Sequence, residues 1–285
     1  MLARGGVSVK KFCTFLIALC LAHTSLALAD QVRDNMTRTD ICKQTYTELF
    51  GRQWQPNTGK DAEFMDILQK YIFGEVFTVG QLDMKTREML TVTSLTAQQT
   101  LPQLKAHLNA ALNAGVKPVE LRETIYQCAP FIGFPKTLNA IGVFNEVIKE
   151  RGLESELTTS ATVTEENRHQ KGAAIQQPLY GNEIAEAMRG LPNDMGSEVA
   201  RFLTEFCFGD IYTRRGLDLK TRELMTIAVL VTNGQTSVLK SHIQGAIKAS
   251  NTKEEVTAAI IQCLPYVGFP NALASLKALK ELDLK

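Results

Sequence analysis

Two glutamate and histidine pairs with the same spacing carry most of the chemistry that this sequence offers. Glu88 precedes His107, and Glu223 precedes His242, by 19 residues in each case. A carboxyl group held against apolar neighbours keeps its proton near neutral pH, and an imidazole within reach can exchange it. Each pair is therefore a candidate general acid/base unit that needs neither metal nor organic cofactor. His107 falls on the same side of its helix as Leu104, Leu108 and Leu112, so its ring points inward or into a cleft. Two blander readings stand beside this one. A core histidine satisfied by one hydrogen bond needs no function, and Lys85, Arg87 and Glu88 can form an ion-pair network at a helix start. His169 lies among polar residues away from both pairs, and Lys105 and Lys240 project from another side of the helices that carry the histidines.

The pairs repeat because the chain repeats. A shift of 135 residues superposes Phe73 to Val147 on Phe208 to Leu282 without a gap. LDMKTRE (82–88) meets LDLKTRE (217–223), Gln127-Cys128 meets Gln262-Cys263, and Gly133-Phe134-Pro135 meets Gly268-Phe269-Pro270. About a third of the positions are identical, as expected of one supersecondary unit present twice. Within the first copy, helical spacing predicts a helix from Asp61 to Phe73, and a second one capped by Asp83 and running to about Gln98. A third starts at Leu101-Pro102 and closes at Gly115, a fourth follows Pro118, and a last one runs from about Lys136 to Glu150. No alternating strand pattern of useful length is present, so the fold class is all-α: two tandem copies of a compact helical unit. The expected divisions are a signal peptide (1–29), an irregular N-terminal segment without chemistry (30–60), the first repeat (61–151), a Ser/Thr-rich linker (152–164) and the second repeat (165–285).

Composition narrows the function further. Arg4, Lys10 and Lys11, the apolar run from Phe12 to Ala22, and Ala27-Leu28-Ala29 follow the order of a secretory signal peptide, which places the mature protein in the periplasm or outside the cell. The apolar run is shorter than the ~18 to 20 residues of a membrane span. Removing residues 1–29 takes away three basic side chains and no acidic one, so the formal charge moves from +1 to −2. Such a chain has no electrostatic case for nucleic acid, and no membrane partner is expected after signal removal. Of the four cysteines left, Cys128 and Cys263 occupy equivalent apolar positions and read as core residues. Cys42 and Cys207 have no repeat partners and could bridge each other in an oxidising compartment.

The run GLDLKTRELMTIAVL (216–230), then Leu239-Lys240-Ser241-His242, then the turn at Gly268-Phe269-Pro270, resembles the carboxymuconolactone decarboxylase family. The first copy resembles it through LDMKTREML, LKAHLNAALNAGV and Gly133-Phe134-Pro135. The resemblance implies an oligomer, commonly a ring of six units and hence a homotrimer of tandem chains. It also implies cofactor-free decarboxylation of a lactone acid in aromatic compound catabolism, or an activity derived from it. On that reading Glu88 with His107, and Glu223 with His242, act as acid and base, while Arg87 and Arg222 are candidates for bidentate binding of a small-molecule carboxylate. A related branch, the alkylhydroperoxidase D-like proteins, places a Cys-x-x-Cys pair between glutamate and histidine. Here those positions hold Thr100 and Gln103, and Gln235 and Val238, so a thiol peroxidase is a minor alternative. A non-catalytic duplicated binding or assembly module is the other. Glu123 also resembles an acidic position of the family, but the second copy has Ala258 there, so either the two sites differ or Glu123 is a surface residue.

Overall fold

The computed structural model describes residues 36–282, all of them in helices, turns and connections with no strand among them. The signal-peptide reading falls outside the described residues. The first repeat contains α1 (Arg38–Phe50), α2 (Ala62–Gly74), α3 (Met84–Gln98), α4 (Leu101–Asn113), α5 (Pro118–Ile132) and α6 (Phe134–Arg151). The second contains α7 (Arg168–Tyr180), the short α8 (Glu183–Ala187), α9 (Met195–Phe202), a π-helix (Leu203–Tyr212), α10 (Leu219–Thr232), α11 (Thr236–Lys248) and α12 (Lys253–Lys280). The fold class is the all-α tandem arrangement expected from the sequence. Gly133 and Gly268 take φ values of 78° and 75°, which a side chain would resist, and these two positions separate α5 from α6 and kink α12.

The centre of the molecule is the pair α3 and α10. Asp83 and Asp218 cap them, each accepting the backbone N–H three residues on at 2.8 Å. From Arg87 to Ala97, and from Arg222 to Thr232, every residue is buried. The two helices pack against each other, with α5 and α12 crossing them, so the central hydrophobic cluster is drawn from both repeats. A helix buried all round must satisfy its own hydroxyls. Thr91, Thr93, Thr226 and Thr232 do so by donating to carbonyls one turn back, at 2.7 to 3.0 Å.

The N-terminal segment differs from the irregular stretch expected. Arg38–Phe50 is a helix, closed by a capping box at Thr37 and a left-handed Gly51. Its counterpart is α7, at a shift of 130 residues: Arg38, Leu49, Phe50 and Gly51 match Arg168, Leu179, Tyr180 and Gly181. The ion pair Arg38–Glu75 recurs as Arg168–Asp210. Gly74 and Gly209 let α1 and α7 approach, because a Cβ at either would strike the carbonyl of the matching arginine. The repeat was hidden because five extra residues between Gly181 and Ser197 displace it from the 135-residue register.

The four cysteines in the described chain are free and buried, so the Cys42–Cys207 bridge does not form. Cys42 packs with Tyr46 and Phe73 in the first repeat and Cys207 with Phe208 and Tyr212 in the second. Burial pushes the thiols of Cys128 and Cys263 up to about 12, which leaves no thiolate for redox attack at neutral pH.

Glu123 is not a surface residue. It is fully buried and accepts two hydrogen bonds from Arg214, at 2.8 and 3.0 Å. In the other half Val79 and Ala258 stand where Arg214 and Glu123 stand here, so two apolar residues occupy the positions of the ion pair. Glu123→Ala should destabilise the protein by about 3–5 kcal/mol, because it strips buried guanidinium groups of their counter-charge. Adding Arg214→Val, which copies the first repeat, should recover most of that loss in urea denaturation midpoints.

Candidate active site

Each glutamate enters its site from the second turn of a central helix, and each histidine from the helix that follows. Glu88 and Glu223 are fully buried. In the first repeat the pair meets directly, with His107 Nδ1 2.9 Å from Glu88 Oε2. The imidazole is enclosed by Phe50, Phe73 and Tyr266, with ring centroids 6.0, 6.4 and 5.9 Å away.

The second repeat departs from this arrangement. Glu223 and His242 are joined through Tyr180, whose hydroxyl lies 2.5 Å from Glu223 Oε2 and 2.9 Å from His242 Nδ1. Tyr180 occupies the position of Phe50, so the hydroxyl is the added element. Gly245 makes room for it. A Cβ there would run into the Tyr180 ring and hydroxyl, while the first repeat sets Ala110 at the same register. A glycine inside a helix costs about 1 kcal/mol relative to alanine, and seating Tyr180 is the structural return on it.

A cavity of about 340 Å³ opens on this site. His242, Tyr180 and Tyr212 line it together with Phe208 and Leu203 of its own repeat and Phe131 of the other. Phe131 and Tyr266 are repeat counterparts, and each packs against the histidine of the opposite half at 5.9 Å, so each site is built from both repeats. Cys207, Phe208 and Tyr212 reach the cavity from the π-helix, a wide-turn geometry that concentrates at functional sites.

Burial sets the protonation states. Lack of solvent lifts the Glu223 carboxyl to about 7, although hydrogen bonds from the tyrosines pull the other way. It lowers the His242 imidazole to about 4, against the opposing charge of Glu183. At neutral pH, then, His242 is uncharged and Glu223 is protonated about half of the time. Tyr180 is pushed well above its ordinary range by burial and by Glu223, so it remains a neutral phenol. Glu223 Oε1 and Glu88 Oε1 are buried without a hydrogen-bond partner, which keeps a polar demand inside each site.

These shifts have a stability signature. Protonated Glu223 favours the folded state fully below pH 4.5, and that contribution is lost as pH rises towards 7. Neutral His242 contributes above pH 6.5, and that contribution is lost as pH falls towards 4. The two slopes oppose each other in the wild type. Glu223→Gln leaves only the histidine slope, so thermal stability should exceed that of the wild type at pH 8 by up to roughly 3 kcal/mol, which pH-dependent melting would read.

The structure places Arg87 and Arg222 away from the role expected of them. Arg87 donates to the carbonyls of Leu82, Val79 and Gly80 and to Gln262 Oε1 across the repeat interface. Arg222, fully buried, donates to the Arg214 carbonyl and to Gln127 Oε1. The two guanidinium groups clamp the repeats to each other in reciprocal fashion, and neither lines the cavity. Among the described residues no group of acidic, histidine or cysteine side chains is arranged to hold a metal.

The fold and the sequence have counterparts among known proteins. The 4-carboxymuconolactone decarboxylase of Acinetobacter baylyi is 28% identical over 120 residues, 42% of this chain and 90% of its own. Nitrosuccinic acid decarboxylase npaB of Metarhizium robertsii is 24% identical over 121 residues, 41% of this chain and 85% of its own. A crystal structure assigned as a gamma-carboxymuconolactone decarboxylase subunit from Burkholderia xenovorans LB400 superposes with a TM-score of 0.52, 24% identity, and coverage of 83% of this chain and 93% of that one. The sequence pattern of the Carboxymuconolactone decarboxylase family matches twice, at residues 62–146 and 197–281. With well over half of its length matched in two successive copies, the chain belongs to the carboxymuconolactone decarboxylase family as a tandem duplicate.

Proposed function

We propose that the protein is a cofactor-independent carboxy-lyase acting on a lactone or related carboxylic acid, and that the second-repeat site does the work. The observation that carries this reading is the chain Glu223–Tyr180–His242 beside a cavity. Loss of carbon dioxide from a vinylogous carboxylate leaves the bonding electron pair on a dienolate, and a carbon of that anion must then take a proton. His242 Nδ1 is engaged by Tyr180, which leaves Nε2 to deliver the proton. As Nε2 gives up its hydrogen, Nδ1 takes the Tyr180 proton and Tyr180 takes that of Glu223. The negative charge that began on the substrate ends on Glu223, and the imidazole changes tautomer without ever becoming cationic. That route suits an imidazole whose burial disfavours charge. The site resets when water returns a proton to Nε2 and the chain runs backwards.

The experiment is carbon dioxide release from a panel of vinylogous lactone acids with one carboxylate or with two, γ-carboxymuconolactone being one of the diacids, across pH. The active form has neutral His242 and protonated Glu223, so kcat/KM should be level between about 4 and about 7 and fall above that as Glu223 ionises. Activity that instead rises through pH 7 would reverse the assigned roles. Absence of turnover from a folded protein across the panel would favour the binding module.

A further inference from the structure

We propose, resting on the acid/base reading above, that the second site accepts a compact lactone acid carrying a single carboxylate, and that Glu183 on α8 turns away a second negative charge. The five residues that displace the repeat register lie between Gly181 and Ser197, and α8 is the helix that this longer connection forms. It contributes Glu183, Ile184 and Ala187 to the wall of the cavity. The first repeat has no helix between α1 and α2. The longer connection therefore builds one side of the second site.

Charge on that wall has one sign. Among the described residues lining the cavity none is Lys or Arg, and the remainder of the wall is mostly apolar, including Pro130, Phe131, Leu203, Phe208 and Val238. Glu183 Oε2 accepts a hydrogen bond from Ser241 Oγ at 2.6 Å, and Ser241 directly precedes His242. The carboxylate is thus tied to the histidine side of the mouth.

The departing carboxylate tolerates this setting. It leaves as neutral carbon dioxide, so a guanidinium gripping it would stabilise the ground state more than the transition state. A second carboxylate keeps its charge throughout the reaction. It would need a counter-cation or water, and it meets apolar wall and Glu183.

The test is calorimetric binding of two unreactive γ-lactones that differ by one carboxyl group: paraconic acid, a monoacid, and isocitric lactone, a diacid. Wild type should bind the monoacid about tenfold more tightly at low ionic strength, with the gap closing as salt is raised. Glu183→Gln should narrow the gap to about threefold or less, and Glu183→Lys should reverse it. Glu183 is exposed, so neither substitution disturbs the core. Equal binding of the two acids by wild type, tighter binding of the diacid, binding of neither, or a ratio unchanged in both variants would overturn the proposal. Because these lactones do not react, the result is separate from the carbon dioxide assay that decides the catalytic reading.

Discussion

His242→Ala should lower turnover by about 10³ to 10⁴-fold, near the upper range for removal of a general acid, while His107→Ala should leave turnover within a few-fold of wild type. The asymmetry follows from geometry. His242 lines a cavity and is linked to Glu223 through a third group, whereas His107 is buried among aromatic rings and bonded to Glu88 directly. Loss of His107 removes a partner from the fully buried Glu88, so the expected consequence is a loss of stability on the order of 1 to 3 kcal/mol. Steady-state kinetics and urea denaturation on the two variants separate these outcomes. Equal losses of activity would mean that both halves turn over, and the single-site reading would be abandoned.

Tyr180→Phe is expected to have the next largest effect. It restores the side chain of the first repeat, removes the hydroxyl that bridges Glu223 and His242, and should reduce kcat about 10²-fold or more with KM little changed. Without the phenol donor, Glu223 should rise further above 7, and the descending limb of the pH profile should move upward with it. Gly245→Ala approaches the same site from behind. The added methyl displaces the phenol without deleting it, so kcat should fall while the helix gains intrinsic propensity. If Tyr180→Phe retained wild-type kcat and pH profile, proton transfer through Tyr180 would be ruled out.

The two glutamates and two histidines were legible in the sequence because a 19-residue spacing across one helical hairpin survives duplication. Tyr180 was not. It belongs to a helix whose register differs by five residues, and its match to Phe50 becomes visible only when α1 and α7 are seen against α2 and the π-helix. Arg87 and Arg222 misled for another reason. A guanidinium beside the candidate glutamate reads as a grip for a substrate carboxylate, but here two such helices pack on each other, and each arginine is drawn to the glutamine of the opposite repeat. Gln127 and Gln262, polar residues directly before core cysteines, were the signal for that clamp. The fate of Glu123 was legible only as a pair, since Ala258 makes sense once Val79 is set beside Arg214.

That clamp, with Phe131 and Tyr266 reaching across to opposite histidines, gives the two halves of this chain the relation of two subunits in a symmetric dimer. In a dimer of identical chains any substitution appears in both sites at once, so a gain at one is inseparable from the same change at the other. Covalent fusion lifts that restriction. Phe50 with Ala110 and Tyr180 with Gly245 are two solutions to one packing problem, and they coexist here because each is encoded once. A molecule with the architecture of a homodimer is thereby free to keep one half as a scaffold and to change the chemistry of the other.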